Sequence, residues 1–264
     1  MAHNIFRSIF ITLTLAVIGT LAARDSKLIK GNYAMMHEFP SVVAIYKNDI
    51  FHCGGSLVSK DTVITAAHCI HSILEDENNY ATVVTGANDF LQGGEVHTVS
   101  RYYYHYEWNK QITDNKENLP WNYDIGAIKL ADPVEFSSVQ RPILLPDEPP
   151  SPNTKATVVG WGITEDKTLS RFLRKLEIDL LPPEKCQGEL EQTIQEHHIC
   201  GFKEVGAGTC LGDSGSPLFA GNVQIGTVSG GLGCAGVKPD IYVSTYYTRK
   251  FIDFVIQEPV YTYV

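Results

Sequence analysis

Basic charge is scarce in this chain. Lys and Arg number 21 against 30 Asp and Glu, giving a formal net charge of −9. An acidic surface repels a phosphate backbone, which argues against nucleic acid as a partner. Charged residues of both signs make up only 19% of the 264 residues and apolar ones 44%, so the composition is not that of a disordered chain. There is no Asn-x-Ser/Thr acceptor for N-linked glycans and no Cys-x-x-Cys pair of the kind that holds zinc. No internal repeat recurs at a fixed period. Long apolar runs are also missing, with one exception at the N-terminus.

That exception, Ile9–Leu21, reads IFITLTLAVIGTL, with Arg7 before it and Ala22-Ala23 after it. A basic residue, a short apolar run and small residues form a secretory signal peptide, assigned to residues 1–22. The alternative is a membrane anchor, but the run falls short of the ~20 apolar residues a spanning helix needs. The protein is therefore expected to be secreted, extracellular and free of the membrane once the signal is removed. An oxidising space favours disulfides. The six cysteines, Cys53, Cys69, Cys186, Cys200, Cys210 and Cys234, suit three of them, with 15 pairings open. The nearest His/Cys cluster, His68-Cys69-Ile70-His71, is a weak metal candidate; no metal and no cofactor are expected.

What the chain does have is many short apolar or alternating runs between turn residues. Strands are expected at Ser41–Tyr46, His52–Val58, Val63–Thr65, Thr82–Thr85, Val96–Tyr102, Ile125–Leu130, Ala156–Val159, Leu173–Leu180, Val223–Ser229 and Ile241–Val243. Such spacing points to an all-β barrel or sandwich protein. The proline-rich stretch Arg141–Asn153 reads as the connection between two halves. One helix is expected near the end, with Tyr247, Phe251, Phe254 and Val255 on its docking face. Glu75-Asp76-Glu77 and Asp114–Glu117 read as solvated loops, and the tyrosines from Tyr102 to Tyr106 as half-buried strand positions.

Three segments carry residues able to do chemistry. Gly212-Asp213-Ser214-Gly215 offers a serine in a tight, uncrowded turn; Thr65-Ala66-Ala67-His68-Cys69 offers a base; Asp124-Ile125-Gly126-Ala127-Ile128-Lys129-Leu130 offers a carboxylate at the head of an apolar strand. A serine hydroxyl is a poor nucleophile until a neighbouring base takes its proton, and imidazole titrates in the right range to do so. Each segment alone is weak. Their order and contexts, together with Cys53-Gly54-Gly55-Ser56-Leu57, Val159-Gly160-Trp161-Gly162 and Val228-Ser229, make a sequence that resembles the chymotrypsin-like serine proteases, the trypsin family, from Leu28 to about Gln257.

The resemblance implies two six-stranded antiparallel β-barrels with the active site between them and a C-terminal helix. The first barrel would span about residues 28–135, the second about 136–244 and the helix about 245–257, all within a peptidase domain of residues 28–264. It implies disulfides Cys53–Cys69, Cys186–Cys200 and Cys210–Cys234, a catalytic His68, Asp124 and Ser214, and an oxyanion hole from the N–H groups of Gly212 and Ser214. Ser229 would support Asp124 and pair with substrate backbone. Leu28-Ile29-Lys30-Gly31 matches the family's mature N-terminus, which makes residues 23–27 an activation peptide. Cleavage after Lys27 would free the Leu28 amine to pair with Asp213. The implied partners are protein or peptide substrates, an activating protease that cuts after lysine, and protein inhibitors, with the enzyme itself a monomer.

Departures from the family pattern concern specificity. Gly208 stands where trypsin has an aspartate, while Asp240 stands on the opposite pocket wall where a glycine is usual; Ser229 and Gly231 complete the expected pocket. This pairing resembles arthropod chymotrypsin-like and collagen-cutting enzymes of broad specificity. The usual Val-Ser-Trp-Gly is Val228-Ser229-Gly230-Gly231, which would remove an apolar wall beside the bound peptide. Ser216 replaces a usual glycine. The spacing from His68 to Asp124 is long, with an insertion around Tyr104–Trp121. The expected function is a secreted serine endopeptidase made as a zymogen, of digestive type given its short activation peptide; the alternative is a non-catalytic homologue that binds through the same scaffold.

Overall fold

The computed structural model describes residues 28–35, 37–108 and 121–260. The signal and activation peptides with Lys27, the acidic stretch 114–117 and most of the insertion lie outside them. Among the described residues no helix is long and apolar enough to cross a membrane.

Six antiparallel strands close the first barrel: β2 (Val42–Lys47), β3 (Ile50–Leu57), β4 (Thr62–Thr65), β5 (Ala81–Thr85), β6 (Glu95–Tyr104) and β7 (Gly126–Leu130), in the order β2-β3-β4-β7-β6-β5. Val43, Ile45, Leu57, Val63, Val83, Ile128 and Leu130 fill it. The second is built from β8 (Lys155–Gly160), β9 (Arg174–Leu181), β10 (His198–Phe202), β11 (Pro217–Ala220), β12 (Val223–Gly231) and β13 (Asp240–Ser244), closed by the β8–β9 pairing. Its core contains Val158, Leu176, Ile178, Leu218, Ile225 and Tyr242. Largely apolar runs, most of them buried throughout, make up these strands, and β9 shows the clear alternation of a strand with one buried face. Two that the sequence reading lacked, β10 and β11, are short and broken by Cys, Gly or Pro.

The chain ends cross over between the barrels. A two-residue strand β1 (Asn32–Tyr33) pairs with Lys175 and Arg174 of β9, and Leu28 is buried in the second core, although both fall in the segment expected with the first barrel. The C-terminal helix α3 (Arg249–Gln257) packs instead on the first barrel, against Ile64, Ile125 and Ala127. Its buried face is Ile252 and Val255, with Thr248 just before it; Tyr247 and Phe254, expected to dock, are 41% and 55% exposed. Val255 and the half-buried Phe251 dock as expected, and Ile252 joins them. Two further helices, α1 (Ala67–Leu74) and α2 (Pro183–Leu190), are too short for a clear helical period in sequence.

Between the barrels, Val42, Ala44 and Val84 meet Val159, Trp161 and Phe219. Buried polar contacts fix their relative placement: Ser56 Oγ donates to Gln224 Oε1 at 2.6 Å, and Trp161 Nε1 donates to the Asn88 carbonyl at 2.8 Å. Three disulfides, Cys53–Cys69, Cys186–Cys200 and Cys210–Cys234, tie neighbouring segments within each half. One buried cation, Lys129 on β7, gathers Asp61 Oδ1 at 3.0 Å, Thr62 Oγ1 at 3.1 Å and the Ile256 carbonyl at 3.3 Å. Removing one partner of a buried pair strands the other charge without solvent. Asp61→Ala is therefore expected to lower unfolding free energy by about 3–5 kcal/mol in urea titrations, and adding Lys129→Met should recover most of that loss.

Candidate active site

The histidine and the carboxylate are set by the ends of neighbouring strands. His68 sits in the first turn of α1, just after β4, and Asp124 precedes β7, which pairs with β4. The Asp124 carboxylate is buried and accepts three hydrogen bonds. Oδ1 takes the His68 backbone N–H at 2.9 Å; Oδ2 takes the His68 ring Nδ1–H at 2.7 Å and the Ser229 hydroxyl at 2.6 Å. Burial alone would push this carboxyl up, but the His68 charge and these hydrogen bonds outweigh it and hold Asp124 below the usual carboxylate range. Burial likewise works against charge on His68, yet the Asp124 charge and hydrogen bond prevail and its pKa is raised. An Nδ1–H bound to Asp124 leaves Nε2 as the free base.

Ser214 lies in the turn before β11, half-buried. Its carbonyl accepts the Gly54 N–H at 2.9 Å, and the Gly54 carbonyl accepts the Thr65 hydroxyl at 2.8 Å, so the turn is pinned to β3 and to the residues leading into α1. Gly215 has φ 78°, and a Cβ there would lie 2.0 Å from Thr65 Oγ1 and 3.0 Å from the Ala66 nitrogen. Only glycine allows the serine turn to press against the approach to His68. Gly212, at φ 95°, turns the backbone just ahead of it. Among the described residues no backbone hydrogen bond uses the N–H of Gly212 or of Ser214, which leaves both as donors. The Ser214 hydroxyl makes no hydrogen bond to His68 among the described residues; the polar neighbour of His68 Nε2 is Cys69 Sγ at 3.7 Å.

This arrangement matches a known family. A family profile described as Trypsin covers residues 28–252. The chain belongs to the trypsin family. It is 32% identical over 262 residues to a trypsin of Sarcophaga bullata, covering 96% of this chain and 98% of that protein. It is 30% identical over 241 residues to hypodermin-A of Hypoderma lineatum, covering 89% and 90%. Among solved structures, neuropsin, a serine protease expressed in the limbic system of mouse brain, superposes with a TM-score of 0.77 at 25% identity, covering 86% of this chain and 99% of that one. Membership of the trypsin family makes the protein a serine endopeptidase, a hydrolase.

Three of the residues expected to line a specificity pocket, Gly208, Gly231 and Asp240, come together. Asp240 is buried at the start of β13, opposite Gly231 of β12, so it is not a solvated loop residue. A Cβ at Gly208 would lie 2.8 Å from Asp240 Oδ2, and one at Gly231 would lie 2.9 Å from Oδ1. The carboxylate thus lies between two walls that lack side chains. Burial pushes Asp240 up to about 7, against the pull of its Thr209 hydrogen bonds, one of them from the backbone N–H at 2.7 Å. Asp213, also buried, accepts the N–H groups of Gly162 at 2.8 Å and Cys210 at 3.1 Å. Among the described residues it has no cationic partner, and burial raises it to about 7 despite those bonds, with the Asp240 charge adding to the rise.

Two departures from the family pattern acquire a structural reason. Gly230 does not leave a gap: a Cβ there would lie 2.7 Å from the Trp121 indole Nε1. An indole from the end of the insertion, on the other barrel, stands over the glycine where a larger residue would collide with it. Ser216 is fully buried, with its hydroxyl unpartnered among the described residues, and Gly54 leaves it room: a Cβ at Gly54 would lie 2.1 Å from Ser216 Oγ. Trp121 escaped the sequence reading because nothing local ties it to residue 230. The one His/Cys cluster among the described residues, His52 with Cys53 and Cys69, has both sulfurs joined in a disulfide.

Replacing Asp124 by Asn removes the charge that opposes burial. The His68 pKa is then expected to fall below the ordinary 6.5, measured by an NMR titration of the ring protons; a value still above 6.5 would show that another group controls it.

Proposed function

We propose that this trypsin-family endopeptidase is a secreted zymogen that works through Ser214, His68 and Asp124. The hydrogen-bonded pair Asp124–His68, with Nε2 directed away from the carboxylate, is the observation that carries the reading. In this mechanism Nε2 takes the Ser214 proton as Oγ attacks the peptide carbonyl carbon. The imidazolium formed is stabilised by Asp124 and returns the proton to the departing amine. Water, deprotonated by the same Nε2, then opens the acyl-enzyme. The N–H groups of Gly212 and Ser214 would meet the negative oxygen of the tetrahedral intermediate, where each such donor is worth ~3–4 kcal/mol. The Ser214–His68 contact, unmade in the intact chain, must close first, and catalytic contacts of this kind tighten when substrate binds.

Activation by cleavage after Lys27 supplies what Asp213 lacks. A buried carboxylate without a cation is poorly placed to ionise. Leu28 is buried, and Ile29 bridges to Gly208, so this segment already lies beside the loop that leads to Asp213. A freed Leu28 amine would give Asp213 its counter-charge and order the Gly212–Ser214 turn. The test is labelling by a fluorophosphonate before and after cleavage at Lys27. Ser214 should react rapidly only in the processed chain, and Ser214→Ala should reduce turnover by ~10⁶, the scale known for this catalytic design. A processed chain that stays unlabelled and inactive would instead support the binding homologue.

Specificity is read as broad, with large apolar side chains accepted along with some basic ones, because the pocket's carboxylate sits on the Asp240 wall. Below pH ~7 Asp240 is mostly protonated and suits apolar groups; above it the ionised form attracts Lys and Arg. Cleavage after basic residues, relative to apolar ones, should therefore rise as pH rises through that value in a peptide-library profile, and Asp240→Asn should flatten the ratio. Strict Lys/Arg cleavage at every pH would contradict this pocket.

A further inference from the structure

The segment that delivers Asp124 is held from outside itself. Trp121 and Tyr123, neither a glycine, have φ of 69° and 50°. Residues persist in this left-handed region where their surroundings over-determine them. The surroundings here are histidines. His198 Nε2 lies 3.2 Å from the Trp121 carbonyl, and the Tyr123 backbone N–H donates to His197 Nε2 at 3.3 Å. The Tyr123 ring is stacked between His105, at 4.4 Å between centroids, and His197, at 3.8 Å; His198 follows at 4.3 Å. Both His197 and His198 come from the second barrel, at the entrance to β10, while Asp124 heads a strand of the first.

The hydrogen bonds also specify protonation. His197 Nε2 accepts from the Tyr123 N–H, His198 Nδ1 accepts from the Gln195 N–H at 3.1 Å, and His105 Nδ1 accepts from the Glu107 N–H at 3.3 Å. Each ring thus accepts an amide N–H at one nitrogen, and a proton placed there would face another proton. All three are neutral in this arrangement. Burial pushes His197 down to about 3, with the charges of His198 and His105 adding to the fall, and pushes His105 down to about 4 against the pull of Glu107. The titratable groups around the stack are Tyr106 and Glu107 after β6, Tyr123 itself, and Glu196 beside His197; Lys250 of α3 lines the same groove, and Phe251 of α3 covers His105.

We propose that His197, backed by His198, is a positioning residue for Asp124: from the second barrel and only while neutral, it holds Trp121–Tyr123 so that the carboxylate is aimed at His68. This rests on the catalytic role assigned to Asp124. It couples the relative placement of the barrels to the base itself, and acid would release the segment by protonating the rings that hold it.

The experiment uses the processed enzyme. His197→Ala should lower kcat roughly tenfold with KM within about twofold. Because a displaced Asp124 raises the His68 pKa less, the acid limb of kcat/KM should move to lower pH. The low-field proton resonance of the His68–Asp124 hydrogen bond should broaden or disappear. His197→Gln, which can still accept the Tyr123 N–H, should restore most of kcat. If His197→Ala does not fold, Tyr123→Ala removes the ring between the histidines at a half-buried position and carries the same expectations. An unchanged kcat, or a lower kcat with the acid limb and resonance unmoved, would overturn the proposal. Asp124→Asn serves as the control: if it keeps full turnover, the catalytic assignment itself fails; if it loses turnover while His197→Ala is silent, only this inference does.

Discussion

The bond between the Asp124 carboxylate and the His68 ring depends on a charge kept where water cannot reach it. Three donors compensate the lost hydration, and two belong to His68, so one carboxylate fixes both the backbone and the ring of the base. The third, Ser229, comes from β12 of the other barrel. The full set of three donors therefore exists only when the two halves close in register, and the contacts of Ser56 with Gln224 and of Gly54 with Ser214 join the same halves. The histidine stack behind Tyr123 extends the same dependence one layer outward.

Three buried aspartates show how partners, rather than burial, decide ionisation. Asp124, Asp213 and Asp240 are all nearly inaccessible. Only Asp124 has an imidazole and a hydroxyl in addition to a backbone donor, and only its pKa is lowered. Asp213 and Asp240 rely chiefly on amide donors, and both are raised to about 7. The first is held ionised beside His68. The other two have raised pKa values, and in the mechanism proposed above one would gain its counter-charge from a freed Leu28 amine and the other from a substrate side chain.

The family was legible because its motifs are contiguous words. Gly-Asp-Ser-Gly, Ala-Ala-His-Cys and Asp-Ile-Gly-Ala point to Ser214, His68 and Asp124 as the candidate site, and the fold brings His68 and Asp124 into direct contact. Most strands were legible for a similar reason, since short apolar or alternating runs stand out between turn residues. Some elements were not: β10 is interrupted by Cys200 and Gly201, β11 opens on Pro217, and α1 and α2 have too few turns. On the docking face of α3, Val255 is buried and Phe251 packs beside it as the period suggests, whereas Tyr247 and Phe254 stay exposed and Ile252 is buried instead, because period alone does not say where the receiving surface ends.

Local order along the chain determined the family motifs, the all-β class and the glycine-flanked turn around Ser214, because those follow from neighbours within a few positions. Tertiary structure decided that Trp121 stands over Gly230, that Asp240 is buried between Gly208 and Gly231, and that His197 grips Tyr123. Trp121 meets Gly230 and His197 meets Tyr123 across the two barrels, and Asp240 meets Gly208 and Gly231 across neighbouring segments of one barrel; position along a chain carries no information about which surfaces meet until strands and barrels have packed.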